Sequence, residues 1–335
     1  MAEAKPTNQI FNASYVSGYE EASSGTPRMY EIGATALANR DAVAKQNLTV
    51  VEIGGGTGNS TAILAATRPD FEKIIVVEPS DDFLKIASYK FGKDHKPLDA
   101  SISERAKAYI EEVKIKSRSH VERITLLQAR AQDIPLESVI ADRVYACNSW
   151  HWFSQDDASL SEINRVLAPG GKLFFDSTGA QFDFEDKTFE EKRINEIHVL
   201  EHPLHTKLMS YIQQATSEDG IEWTGPEQKT REFMFNLEFL KNRLGAFGFR
   251  LIPTEDGQPY LLTIVSKSIE SLMDTLRVGP RMWSMFNNPP FENLSSEQKQ
   301  SIVDRALQNM IGDYSDLRNR PSIEAFSTFA FEKNR

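Results

Sequence analysis

The stretch from Thr49 to Thr61, Thr-Val-Val-Glu-Ile-Gly-Gly-Gly-Thr-Gly-Asn-Ser-Thr, constrains this chain more than any other. Its short apolar run, rich in β-branched residues, predicts a buried strand that breaks at once into glycines. Thr57 to Arg68 then predicts a helix, with Ile63 and Leu64 spaced to face a sheet. Strand, glycine turn and helix in that order open a nucleotide-type βαβ unit. Glycines there let the backbone approach a ligand closely and adopt conformations that a Cβ forbids.

The spacing of the glycines narrows the ligand. A dinucleotide fingerprint needs glycine at the first, third and sixth positions. Counted from Gly54 the sixth residue is Asn59, and counted from Gly56 it is Thr61, so no register fits a nicotinamide or flavin site. A phosphate-binding P-loop fails too, because no Gly-Lys-Ser/Thr follows. What remains is an acid followed by alternating glycines, Glu52, Gly54, Gly56 and Gly58. A glycine turn with no ligand is the plain alternative.

A second apolar run, Ile74 to Glu78, ends in an acid one helix and one strand later, the length that a βαβ step requires. A carboxylate at such a strand tip can accept both hydroxyls of a ribose. Ser80, after Pro79, suits the cap of the next helix. Residues 92 to 120 read as a solvated helix with Ile102, Ala106, Tyr109, Ile110 and Val113 on one face. Ile124 to Ala129 and Asp142 to Asn148 are further strands, and Asp157 to Leu167 is a helix. The fourth strand opens into Ser149-Trp150-His151-Trp152-Phe153, at the end of an open α/β sheet where ligands bind. Those aromatics can wall a pocket or pack beneath a lid, and His151 is a candidate base or a hydrogen-bonded wall. Lys172 to Asp176 is a fifth strand.

Arg165-Val166-Leu167-Ala168-Pro169-Gly170-Gly171 leads into that fifth strand. Together with the glycine loop and Glu78 it resembles the class I S-adenosylmethionine (SAM)-dependent methyltransferases, over about residues 48 to 178. The small-molecule branch that includes trans-aconitate-methyltransferase-like and type 11-like enzymes is the most similar. The resemblance implies an α/β, Rossmann-like sheet of seven strands, mostly parallel with the last antiparallel, and helices on both faces. It implies an N-terminal helical lid over residues 1–45, a SAM-binding core over 46–178, a substrate-cap insertion over 179–255, and a C-terminal part of the sheet with pocket-lining helices over 256–335.

Carried onto this chain, the family's SAM contacts fall on Glu52, Gly54, Gly56, Gly58, Glu78, Pro79 and Asn148, with Tyr19 reaching down from the lid. Pro27-Arg28-Met29-Tyr30 is similar to the family's Arg-Pro-Xaa-Tyr element with its first pair inverted. The adenine segment follows the third strand, where many members carry an acid and this chain has Arg130. Ala131, Gln132 and Asp133 are the expected contacts, with Gln132 or Asp133 replacing that acid. His151 is the candidate catalytic residue, and Trp150, Trp152 and Trp283 the candidate acceptor-pocket residues. An antiparallel strand over Ala325 to Phe331, beside the fifth, is the family's mark.

Composition bounds the acceptor. The 335 residues carry 38 Lys and Arg against 48 Asp and Glu, a net charge of −10. That balance repels phosphate backbones, so nucleic acid is not the expected partner. The single cysteine, Cys147, lies in an apolar strand and reads as a core thiol. Pro203 interrupts the cluster His198, His202, His205, no acid or cysteine completes a set, and no metal is expected. The first residues lack the apolar core of a signal peptide, and no run approaches ~18 apolar residues, so neither secretion nor membrane insertion is expected and the cytoplasm is the expected location.

The expected reaction is methyl transfer from SAM to a small organic metabolite, at a carboxylate or hydroxyl oxygen, by a monomer or homodimer. Carbon or nitrogen methylation, a cyclase or pure SAM-binding role on the same fold, and a nicotinamide oxidoreductase are the alternatives.

Overall fold

In the computed structural model the expected βαβ opening forms β1 (Leu48–Ile53), α3 (Asn59–Thr67) and β2 (Phe71–Glu78). The structure describes residues 13–25, 29–41, 45–182, 203–223, 237–267, 290–291, 293–313 and 322–335. Ahead of β1 stand α1 (Ala13–Ser23) and α2 (Met29–Arg40). After β2 come α4 (Asp81–Lys90), α5 (Glu104–Ser117), β3 (Ile124–Gln128), β4 (Ala141–Ala146), α6 (Asp157–Val166) and β5 (Leu167–Phe182). Then follow α7 (Pro203–Glu218), α8 (Leu237–Ala246), β6 (Phe249–Leu251), β7 (Leu261–Lys267), α9 (Ser296–Asp313) and β8 (Ser322–Lys333).

Local chemistry sets these boundaries. Ser80, Ser103 and Asp156 occupy the N-cap positions of α4, α5 and α6, each accepting a backbone N–H of the first turn from Phe83, Ala106 and Ala158. The helix over α8 ends at Gly248, whose φ of 79° is the left-handed conformation that terminates helices.

The strands run in the order β3-β2-β1-β4-β5-β8-β6. β1 to β5 pair in parallel, while β8 lies antiparallel to β5. β6 and β7 both pair antiparallel with β8, at Phe331 to Lys333 and at Ser322 to Thr328. They therefore share one edge of β8 end to end, and both run in the direction of β5. The expected seven-strand path is present, and β7 is an eighth strand added where β8 outruns β6.

Alternation along each strand divides the core. Val51, Ile53, Ile75, Val77, Val144, Leu173 and Phe175 pack with α6 and α8 on one face. Leu48, Val50, Ile74, Val76, Tyr145, Cys147 and Phe174 pack with α2, α3 and α5 on the other. Helix α1 rests on α4 and α5 through Val16, Phe83, Ile86, Ala106 and Ile110. Helices α7 and α9 form a satellite core through Leu208, Ile212, Ile302, Ala306 and Met310.

The expected helices over 189–197 and 268–276, the segment from Arg281 to Phe286 with Trp283, and His198 and His202 lie outside the described residues. None of the described helices is long and apolar enough to cross a membrane.

Candidate functional site

Three acids stand at or near the carboxyl ends of the strands, all on the face that carries α2 and α3. The two-residue period puts them there: Glu52 follows Val50, Glu78 follows Val76, and Asp176 follows Phe174. Each holds a different piece of backbone or side chain.

Glu52 is fully buried beneath the glycine loop. Its carboxylate accepts the Ser60 and Thr61 hydroxyls from the first turn of α3, and burial pushes its pKa up. Placed among the SAM contacts by resemblance, Glu52 spends both oxygens on fastening α3 to β1.

Glu78 is 5% exposed. One oxygen accepts Gly56 N–H at 3.0 Å and the other accepts Ser80 N–H at 2.8 Å. The tip of β2 thus ties down both the glycine loop and the start of α4. Burial raises its pKa to about 7 against the pull of those two N–H donors. A carboxylate offers about four lone-pair positions, so two acceptor positions remain.

The glycines of the loop serve two ends. Gly54, Gly56 and Gly58 have φ of 71°, 58° and 84°, the left-handed region that favours glycine. Gly55 is needed for packing, because a Cβ there would sit 2.3 Å from the Val76 side chain. A Cβ at Gly56 would lie 3.4 Å from the Tyr19 hydroxyl, which places helix α1 against the loop. The Tyr19 ring lies 4.9 Å from Phe83 and 5.4 Å from Tyr30.

On the other side of β1, Asn148 ends β4 in the left-handed region, with φ of 49°. Its backbone N–H donates to Asp176, and the Ser149 hydroxyl donates to Ile53 O. Tyr30 shares hydrogen bonds with Tyr19 and Asn148, and burial pushes its phenol well up. Asp176 is raised to about 7 by burial and faces α2 at Gly33, where a Cβ would stand 2.8 Å from its carboxylate. Sequence reasoning missed Asp176 and Tyr30's link to Asn148. The alternation of β5 was the available signal for the first, and nothing local pointed to the second.

The segment expected to meet the adenine forms a tight turn after β3, closed by Asp133 N–H to Arg130 O at 3.1 Å. Ala129 N–H donates to Glu78 O, so this turn stands beside the β2 tip. Ala131 is buried, while Gln132 and Asp133 are exposed. The Gln132 side chain is hydrogen-bonded to Asp156, the N-cap of α6, which leaves Asp133 the less committed of the two expected partners. Pro79 is half-buried between Glu78 and the α4 cap.

Among the aromatics at the end of β4, Trp150 is not on a pocket wall. It is 1% exposed, stacked on Phe175 at 4.0 Å and edge-on to Phe153, inside the core on the α6 face. The short turn Trp150–Trp152 folds the first indole back under the sheet end. His151 and Trp152 are less buried, their rings 4.9 Å apart, with Trp152 40% exposed. The structure thus brings Gly54, Gly56, Glu78, Asn148 and Tyr19 together around the carboxyl ends of β1, β2 and β4, with the Ala131 to Asp133 turn beside the β2 tip. It leaves Trp150 and Glu52 within the packing.

A glycine loop is tied to an acidic strand tip at the point where strand order reverses between β1 and β4, the place where ligands bind in Rossmann-like folds. Residues 51–175 match the family described as "Methyltransferase domain". Over those residues, well under half of the chain, this protein is similar to methyltransferases. An uncharacterised methyltransferase-like protein of Schizosaccharomyces pombe is 28% identical over 144 residues, which are 43% of this chain and 43% of that protein. The ubiquinone/menaquinone biosynthesis C-methyltransferase UbiE of Shewanella oneidensis is 25% identical over 130 residues, 39% of this chain and 42% of its own length. The chain spans less than half the length of these curated relatives. The YcgJ protein of Bacillus subtilis superposes with a TM-score of 0.48 at 12% identity, over 91% of this chain and 99% of that one.

Proposed function

We propose that this chain transfers the methyl group of SAM to a small organic molecule, at a carboxylate or hydroxyl oxygen. The observation that carries the SAM part is the state of Glu78. Its two oxygens are oriented by Gly56 N–H and Ser80 N–H, and each keeps an acceptor position for a ribose hydroxyl. At Gly56 the nearest atom to the position of a Cβ is the Tyr19 hydroxyl at 3.4 Å, so the amino-acid end of the cofactor can run close along the backbone there. Tyr19 and Tyr30 cover that end, Asn148 borders it, and Ala131, Gln132 and Asp133 flank the base.

SAM supplies a methyl on a positive sulfur that is ready for in-line displacement. The chain's own part is alignment and exclusion of water, and such positioning can supply ~7–11 kcal/mol of a barrier. In this reading residues 1–45 form the lid and the part of 179–255 between β5 and α8 caps the acceptor, whereas α8 and β6 belong to the sheet together with 256–335, and Trp152 lies against the acceptor. His151 is the candidate base, needed only by an acceptor that must lose a proton; a carboxylate needs none. Carbon methylation is the second reading, favoured by the likeness to a C-methyltransferase.

Incubation with methyl-labelled SAM and a metabolite extract tests the proposal. One labelled methyl appearing on a small acidic or hydroxylated compound supports it, and label on carbon selects the second reading. Unmethylated extracts with demonstrable SAM binding defeat both. For His151, pH–rate profiles of wild type and His151→Asn decide the role: the fall in rate at acid pH, where a base is protonated, should vanish in the variant, and matching profiles would make it a wall.

A further inference from the structure

Lys90, the last residue of α4, is buried at 0% exposure against a Glu20 that is equally buried. Its ammonium donates to both Glu20 oxygens at 2.9 and 2.8 Å, to Asn59 Oδ1 at 2.5 Å and to Thr57 Oγ1 at 3.4 Å. The same ammonium lies 5.7 Å from the centre of the Tyr109 ring. One cation thus holds a residue of α1, one of the glycine loop and one of the first turn of α3.

A buried ion pair is a poor device for stability alone, because desolvation offsets most of the attraction. Helix α1 already has an apolar seat, with Val16 packed against Phe83, Ile86 and Ala106. What the pair adds is direction. Glu20 directly follows Tyr19, whose hydroxyl overlies Gly56, so two successive residues of α1 grip the loop. With Asn59 Oδ1 turned to the lysine, the orientation of that amide is fixed, and its Nδ2 is buried with no partner among the described residues.

We propose that Lys90 is a positioning residue of the cofactor site: through Glu20, Thr57 and Asn59 it makes the seating of α1 and the shape of the glycine loop one event, so that losing either loosens both. This rests on the SAM reading only for its effect on ligand affinity; the coupling itself is a property of the ligand-free chain.

The experiment uses the double variant Glu20→Leu/Lys90→Met, which replaces the pair by apolar side chains and leaves no buried charge behind. Hydrogen exchange in the ligand-free full chain should rise together over residues 13–23 and 54–59, with the strands unchanged. S-adenosylhomocysteine should bind about tenfold more weakly or worse, the equivalent of ~1.4 kcal/mol. Should the double variant fail to fold, Glu20→Gln, which keeps the shape, should give the same paired rise at smaller amplitude. Faster exchange in 13–23 with an unchanged loop, or an unchanged dissociation constant in a variant whose exchange has risen, overturns the proposal. Wild-type protein that does not bind S-adenosylhomocysteine would remove the cofactor reading alone, since the paired exchange is read without ligand.

Discussion

At the scale of single residues, Glu78 concentrates the chemistry of the crevice. Its carboxylate is desolvated yet braced by two backbone donors, which is the state that a bidentate contact to ribose requires. Glu78→Ala should raise the SAM dissociation constant at least about tenfold while the sheet stays folded, since ~1.4 kcal/mol is the worth of one modest hydrogen bond to a charged group. Calorimetric titration beside a circular dichroism spectrum checks both halves, and unchanged affinity would remove the ribose assignment. Burial also gives Glu78 a pH signature. Its folded pKa of about 7 lies above the ordinary 4.5, so the folded chain holds a proton that the unfolded chain has already released. The associated stability is complete below the ordinary value and is lost as pH rises through about 7. Glu78→Gln cannot titrate, so the melting temperature of the variant relative to wild type should climb between about pH 5 and pH 8. A flat difference would show that the carboxylate is already ionised when folded. Asp176, raised from 3.8 to about 7 by the same cause, predicts the same sign for Asp176→Asn.

At the scale of elements, the junction of β1 and α3 sets Gly56, which shapes the loop beside Tyr19, against Gly55, which lets it pack on β2. Gly55→Ala puts a Cβ 2.3 Å from Val76 in the middle of the sheet, and overpacking of this kind costs about 1–3 kcal/mol. Gly56→Ala has more room, at 3.4 Å from the Tyr19 hydroxyl, but strains a left-handed backbone and intrudes between lid and loop. Thermal melts and titrations of the two variants should therefore split: Gly55→Ala loses mainly stability, Gly56→Ala mainly cofactor affinity. Equal losses in both columns would mean that the loop moves as one rigid piece. This junction also shows what the sequence could convey. The strand, the turn and the helix were legible because β-branched runs and glycines act locally. The direction of Glu52 was legible as well, through Leu48 and Val50 on the same face, yet motif likeness pointed to the ligand while the two-residue period pointed to α3. Trp150 misleads for a different reason. An indole after a strand end reads as a pocket wall, and only the turn at Trp150–Trp152 sends it back under Phe175. The seating of α1 by Lys90 had no local trace at all, because Glu20 lies 70 residues away.

At the scale of the molecule, the sheet keeps two separate polar ends. The carboxyl end holds the crevice, and the opposite end holds a buried charged cluster around Asp41, which follows α2. One oxygen of Asp41 accepts from Arg68 at 3.0 Å, from Arg143 at 2.9 Å and from the Tyr145 hydroxyl at 3.1 Å. Asp70 takes the other side of Arg68 at 2.9 and 2.8 Å. These residues come from the end of α2, the turn between α3 and β2, and β4, so the cluster clamps these elements together. No sequence pattern announces it, since its members are scattered charges that only the βαβ winding brings to one end. The division into two ends makes a sharp expectation. Asp41→Asn takes from the buried Arg143 guanidinium its ion-pair partner and from Arg68 one of two, and breaking a buried pair in this way costs about 3–5 kcal/mol. The melting temperature should fall accordingly, while S-adenosylhomocysteine binds the remaining folded protein at the wild-type dissociation constant, because no Asp41 contact reaches Glu78, Gly56 or Asn148. Melting curves and titration well below the midpoint measure the two quantities on one sample. A variant that loses affinity in step with stability would show that the Asp41 cluster and the crevice form a single cooperative network, and the assignment of cofactor binding to the carboxyl end alone would fall with it.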